Sequence, residues 1–274
     1  MIFARDKSQM CNNLLQYAHV YAWGREHGRK VISMRFSYKY QYFHICHTNL
    51  TSFPLYLLAK YSAALHLLPT ASFKHAENDY EALERKMLRH RNIVVSGWYV
   101  RFYDLFLKYR HEICDLFRID ERFTTPVKLK MQEAEDHEKA LRLGVHIRRG
   151  DYAQWNDGIY CYDDETYARY INRFASLHKD ETIHVYLSTN DSSVTAENYQ
   201  RLCSEVRIHL LGGNAPEDLF MLSECDYLIG PPSTFSLVAA MYRDRPLYRM
   251  DTEKAELMTQ EAFHLFDYWF RRII

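Results

Sequence analysis

The apolar positions of the first forty or so residues fall into a short run, a helical stripe and a second short run. Met1–Ala4 is apolar and has the length of a strand. From Cys11 to His27, residues Leu14, Leu15, Ala18, Tyr21 and Ala22 recur on one helical face, and Gly28 supplies the stop. Val31, Ile32, Met34 and Phe36 make Lys30–Phe36 a second strand, so the chain opens β-α-β, as a parallel sheet begins. Residues 37–90 are rich in Tyr and His and read as irregular and helical material on that sheet, with a polar helical run from His75 to His90. Asn92–Ser96 predicts a strand and Tyr99–Phe117 an amphipathic helix. Pro126 reads as a break, and the charge run within Lys128–Leu141 predicts a solvated helix.

The second half alternates more clearly. Strands are predicted at Leu143–Arg148, Ile183–Ser188, Val206–Leu211, Tyr227–Gly230 and Pro246–Met250. Helices are predicted at Asp164–His178, Glu197–Ser204, Pro216–Glu224, Thr234–Tyr242 and Thr259–Arg272. This is the pattern of a doubly wound α/β domain. Two α/β halves in tandem predict a two-lobed protein with a cleft between the lobes. The boundary falls near 126–140, dividing the chain into 1–135 and 136–274.

Composition narrows the function. At 47% hydrophobic the chain can bury a real core, which excludes disorder. Lys plus Arg and Asp plus Glu are both 35, so bulk nucleic-acid binding is excluded and any cationic function must be local. The 22 tyrosines suit a sugar-facing surface and an aromatic core equally well. The six cysteines contain no C-x-x-C pair, which predicts reduced, mostly buried thiols and a cytoplasmic setting. The N-terminus has no apolar signal region, and no run of about 18 apolar residues exists to span a bilayer. Membrane contact is therefore expected to be peripheral at most, at the inner face.

Candidate chemistry lies beyond the carboxyl ends of the predicted strands, where open parallel sheets bind ligands. His146-Ile147-Arg148-Arg149-Gly150-Asp151-Tyr152 leaves a buried strand and enters a loop. Alternation puts His146 and Arg148 on one face and turns Arg149 elsewhere. Two arginines at a strand end suit a pyrophosphate through bidentate guanidinium contacts, although a basic loop paired with Asp151 fits the same residues. Ser188-Thr189-Asn190-Asp191 ends another strand, where an ordinary helix cap or Asx turn is the plainer reading. Gly230-Pro231-Pro232-Ser233-Thr234-Phe235-Ser236 opens an apolar helix, and hydroxyls beside unpaired N–H groups there make an anion site or a plain N-cap. Asp218 can accept from a guanine N1–H and N2–H pair, or can simply face the helix dipole as Glu217 does. Together these motifs fit a nucleoside diphosphate. The embedded Arg-Gly-Asp hangs from a core strand, which disfavours an adhesion role. Asp163-Asp164 reads as a helix cap, and His44-x-Cys46-His47 lacks a second ligand pair, so no metal is expected.

Gly144–Tyr152 (GVHIRRGDY) closely resembles the signature of the α-1,2-fucosyltransferase family and of its α-1,6- and protein O-fucosyltransferase relatives. Asp218-x4-Ser223-x-Cys225-Asp226 followed by Ser233-Thr234-Phe235-Ser236 resembles their later motifs, with Pro232, Leu237 and Val238 standing where NSSFSWWGA has Asn and two Trp. Asn12-x3-Gln16-Tyr17-Ala18 resembles the end of their first loop, GGLGNQMFQYA, whose glycines are replaced here by Lys7–Cys11, and Trp98-Tyr99 resembles a mid-chain segment. The resemblance implies a GT-B-type fold of two Rossmann-like lobes, an acceptor-side first lobe and a GDP-sugar-binding second lobe. It implies GDP-fucose as donor, inversion at the anomeric carbon, no metal, and a glycan acceptor, oligosaccharide or lipid-linked, taken at galactose 2-OH. By its pattern Arg148 holds the pyrophosphate and Arg149 supports it or the loop. His146 and Asp218 sit on guanine or ribose. Ser233, Thr234 and Phe235 close over the phosphates, and Asn12 faces the cleft.

Inversion needs one base at most for the acceptor hydroxyl. Asp157, in the loop Gln154-Trp155-Asn156-Asp157, is the first candidate and Asp151 the second, since an arginine partner would weaken Asp151 as a base. Two rivals share the scaffold: a transferase using another nucleotide sugar, and a non-catalytic nucleotide- or glycan-binding homologue, for which the altered first loop is the best argument.

Overall fold

The structure is a computed structural model that describes residues 1–5, 8–136 and 140–272. Lys7 of the first loop, and residues 137–139 of the expected boundary region, lie outside the described residues. The chain divides into two compact units, Met1–Asp120 and Glu121–Ile274, each built on a parallel sheet.

The first unit contains β1 (Ile2–Arg5), α1 (Met10–Glu26), β2 (Val31–Ser33), α2 (Phe53–Ala64), β3 (Thr70–Ser72), α3 (Tyr80–Arg89), β4 (Ile93–Ser96), α4 (Tyr103–Lys108) and α5 (Arg110–Leu116). Its strands run in the order β2-β1-β4-β3, all parallel. The opening β-α-β is as the pattern predicts. The helix expected over Tyr99–Phe117 is two helices that meet at Tyr109. Tyrosines serve the core: the ring of Tyr17 meets Phe36 and Phe117 edge-on, and its hydroxyl donates to the Val31 carbonyl at 3.1 Å.

The second unit contains α6 (Glu121–Ala134), β5 (Leu141–Ile147), α7 (Asp164–Leu177), β6 (Ile183–Thr189), α8 (Ala196–Leu202), β7 (Arg207–His209), α9 (Ala215–Glu224), β8 (Tyr227–Gly230), α10 (Thr234–Arg243), β9 (Leu247–Arg249) and α11 (Phe266–Phe270). The sheet order is β7-β6-β5-β8-β9, a doubly wound arrangement whose winding reverses between β5 and β8. Leu143, Val145 and Ile147 of β5 and Val185 and Leu187 of β6 pack against Tyr167, Ile171 and Phe174 of α7 in its core.

Two boundaries fall elsewhere than the sequence suggests. The expected break at Pro126 is inside α6, and α6 belongs to the second unit instead of closing the first. The reason is burial: Val127 and Met131 face that unit's core, and Glu135 just beyond accepts from Arg142 of β5 at 2.6 and 2.7 Å. The helix expected over Thr259–Arg272 is confined to α11. His264 pairs with Leu247 of β9 through both backbone groups, at 2.9 and 3.1 Å, and this strand-like bridge overrides the helical pattern before it. All six cysteines are unbridged; Cys11, Cys203 and Cys225 are buried, and Cys46, Cys114 and Cys161 are half-buried.

Candidate functional site

At the reversal between β5 and β8, a Cβ on Gly230 would lie 3.1 Å from the Cβ of His146, so glycine lets β8 pass close beside His146. His146 pairs in register with Ser188 of β6. Its ring lies 5.0 Å from that of Phe235, at the start of α10. It is buried, and its Nδ1 has no hydrogen-bond partner among the described residues. Burial, then the Arg148 charge, push its pKa down to about 3, so the ring is neutral.

Ser188 continues the pocket. Its hydroxyl donates to Asp218 Oδ2 at 2.9 Å. Asp218 stands in the first turn of α9, whose cap is made by Asn214 and Glu217 in a reciprocal capping box. Helix capping is thus already served, and the Asp218 carboxylate turns to the sheet end. Burial raises its pKa to about 6, against the Ser188 hydrogen bond and with Glu217 adding repulsion. That single hydroxyl is its hydrogen-bond donor among the described residues. A largely buried carboxylate so thinly supplied is an acceptor with unmet capacity.

The two adjacent arginines have different fates. Arg149 is held by three groups: Nη2 on Asp164, Nη1 on Asp191 at 3.2 Å and Nε on the Tyr162 carbonyl at 3.0 Å. Its backbone N–H and carbonyl are both taken by the amide of Asn190, at 2.9 and 3.0 Å. Burial opposes its charge, but the Asp164 and Asp191 hydrogen bonds outweigh this and raise its pKa. Arg149 therefore supports the loop, and its guanidinium forks are already occupied. Arg148 makes one ion pair, Nη2 to Asp151 Oδ2 at 2.9 Å, with a carboxylate that is itself exposed. Its guanidinium lies 5.7 Å from the Tyr152 ring, and its N–H donates to the Tyr167 hydroxyl.

Tyr152 joins this loop to the third motif by donating to the Pro232 carbonyl at 2.5 Å. Ser233 caps α10, accepting from the Phe235 N–H at 3.2 Å, and Ser236 donates back to the Ser233 carbonyl. Ser233, Thr234 and Phe235 thus form a capped helix start bound to the Arg148 loop. Beyond Tyr152 the chain turns through Asn156 and Asp157, both at positive φ (49° and 56°), before Gly158. Asp157 is exposed and makes no ion pair or hydrogen bond with the described residues. Trp155, also exposed, has its ring 4.8 Å from that of Tyr152 and 5.7 Å from that of Tyr160.

The structure therefore gathers His146, Arg148, Asp218 and the Ser233–Phe235 helix start at one sheet end, and turns Arg149 away from them. Asn12 lies in the first unit, where its amide donates to Ser8 Oγ at 2.7 Å. Its neighbour Asn13 ties both backbone groups of Ser8, and Gln16 reaches the Arg5 carbonyl. Three roles are hidden in sequence: Ser188 as the donor to Asp218, Tyr152 as the link to Pro232, and Asn190 as the clamp on Arg149. Only Ser188 had a usable signal, since alternation puts it on one face with Tyr186 and His184, and parallel register then sets it beside His146. The Asp163 cap on α7 is as predicted, with the Thr166 N–H at 2.8 Å. His47 contacts Asp120 at 3.3 Å and Cys46 lies against backbone carbonyls. No group of three or more His, Cys, Asp or Glu converges among the described residues.

The model of one protein family, glycosyl transferase family 11, matches residues 8–264. No curated protein sequence matches the chain. Among solved structures, an arginine-to-lysine mutant of Arabidopsis thaliana FUT1 in complex with GDP superposes with a TM-score of 0.68 at 12% identity, covering 96% of this chain and 73% of that one. POFUT1 in complex with GDP-fucose superposes with a TM-score of 0.59 at 11% identity, covering 89% of this chain and 93% of that one. At such identities the likeness establishes the architecture, a GT-B-type α/β fold. The family match runs from the first loop, through the arginine strand and the α10 start, to the end of the second sheet. The chain belongs to glycosyl transferase family 11.

Proposed function

We propose that this protein transfers fucose from GDP-fucose to a glycan hydroxyl, the 2-OH of galactose, with inversion and without a metal ion. The observation that carries the reading is Asp218. A half-buried carboxylate that burial pushes up to about 6, with one hydroxyl donor among the described residues, is costly to keep in a fold unless a ligand completes it. The guanine edge, with N1–H and N2–H side by side, does so as a fork. The GDP and GDP-fucose complexes of the structural neighbours support the same donor.

On this reading the neutral His146, its ring tilted against that of Phe235, gives the nucleoside an apolar wall and offers Nδ1 as a further acceptor or donor. Arg148 and the start of α10 receive the diphosphate. As the sugar–phosphate bond stretches, positive charge grows on the sugar ring and negative charge on the leaving GDP. A guanidinium held in advance by Asp151, and the α10 N-terminus, stabilise that negative charge where it develops. This is the task a divalent cation performs in other transferases. Asp157 is the proposed base. Asp151 is the weaker candidate, because its carboxylate is bound to Arg148. The exposed Trp155 face, beside Tyr152, offers an apolar platform to the acceptor sugar.

The test is incubation with GDP-fucose and a galactose-terminated acceptor in chelator, with linkage and anomeric configuration read by NMR. The expected product is the 2-linked α-fucoside. GDP binding without product would mean a binding-only homologue, and turnover with another GDP-sugar only would reassign the donor.

A further inference from the structure

We propose that α2 seats the first unit on an anionic lipid surface. The helix is apolar almost all round: FPLYLLAKYSAA holds one charged residue, Lys60. One side does what an apolar helix face ordinarily does. Leu55, Tyr56, Ala59 and Ala63 pack on the sheet core around Ile32 and Val94. The opposite side has the same chemistry and is left exposed by the described residues. Leu58, Tyr61 and Leu65 recur at i, i+3 and i+7 and form one stripe, extended by Leu67 just past the helix end. These four side chains are between 59% and 75% exposed. A helix apolar on both faces is normally buried on both.

Charge identifies the occupant. Between Glu26 and Glu77 the chain has no Asp or Glu at all, although acids and bases balance overall. That stretch carries Arg29, Lys30, Arg35, Lys39, Lys60 and Lys74. Lys60 is exposed beside the stripe, with its ammonium 5.6 Å from the Tyr61 ring. At the start of α2, Tyr38, Phe53 and Tyr56 form a cluster with ring centroids 5.1 to 6.1 Å apart. Exposed leucines, an exposed tyrosine, and cations without acids in the same stretch of chain are the composition of a helix lying in a headgroup layer. At 12 residues α2 is about 18 Å long, too short to cross a bilayer, and no helix among the described residues is long and apolar enough to do so. A protein partner would also cover leucines, but a stretch of chain with six cations and no acid specifically favours a polyanionic plane. The inference is independent of which sugar is transferred.

The experiment is sedimentation of the full chain with vesicles of phosphatidylglycerol and phosphatidylcholine, compared with pure phosphatidylcholine. Binding to the anionic vesicles is expected, about tenfold or more weaker on neutral vesicles and in 1 M salt. Leu58→Gln combined with Leu65→Gln should reduce it at least tenfold, and Lys60→Glu several-fold, with unchanged thermal melting because these side chains are exposed. Absence of vesicle binding, or binding that the double variant leaves intact, overturns the proposal. So does a concentration-dependent dimer that the double variant dissolves, which would give the stripe to a second copy of the chain.

Discussion

Arg149 and Asp218 stand at the same end of one sheet, and the protein treats the two charges in opposite ways. Every nitrogen of the Arg149 guanidinium has an oxygen partner, two of them carboxylates. Asp218 has one hydroxyl. Around Arg149 the acids are satisfied in turn: Asp164 also accepts from Asn198 at 2.7 Å and from the Tyr199 hydroxyl at 3.0 Å. Beside Asp218 the Nδ1 of His146 is buried without a hydrogen-bond partner among the described residues. A charge that is completed within the fold holds a loop, whereas one left with a single donor keeps capacity to accept more.

Breaking the completed half should have the largest effect. Asp164→Ala leaves the Arg149 guanidinium mostly buried with one carboxylate, and should destabilise the protein by about 3 to 5 kcal/mol, read by denaturant unfolding.

Asp218→Asn should do the reverse. Folded Asp218 titrates near 6, above an unfolded carboxyl near 3.9. Between those values the folded chain holds the extra proton, so this residue's contribution to stability falls as pH rises through the window. Above pH 6 the deficit reaches about 3 kcal/mol, which the amide should recover while still accepting from Ser188. The same variant should bind GDP at least tenfold more weakly. Wild-type GDP affinity should fall up to about tenfold per unit below pH 6, and this component should vanish in Asp218→Asn, measured by calorimetry. A variant that is more stable and binds GDP equally well would remove Asp218 from the site.

Arg148→Ala should lower GDP affinity by about 2 kcal/mol, roughly 30-fold, and leave the melting temperature nearly unchanged, because its ion pair with Asp151 is exposed. An Arg148 variant that unfolds like Asp164→Ala would erase the distinction between the two arginines. Trp155→Ala should have the smallest effect, raising acceptor KM by about five-fold, about 1 kcal/mol, with donor KM unchanged.

Much of this was legible in local pattern. The β-α-β start and the alternating second half announce parallel sheets, and the three motifs announce the sheet end where His146, Arg148 and Ser188 gather. What escaped is instructive. α2 has no polar face to mark its period, so its apolar run merges with an irregular stretch, and β3 has only three residues. The C-terminal helix shortened because His264 found Leu247 as a strand partner.

By itself the sequence determined the succession of strands and helices, the two-sheet architecture, and the family, since periodicity and motif spacing are properties of neighbouring residues. Only the tertiary structure decided which groups hold Arg149, which acid is left with one donor and which apolar face stays bare. Those outcomes depend on partners brought from distant segments, as Asp191 and Asn190 come to Arg149, Phe235 to His146 and Ser188 to Asp218. Burial and hydrogen-bond completion are properties of the assembled sheet end, and no local pattern contains them.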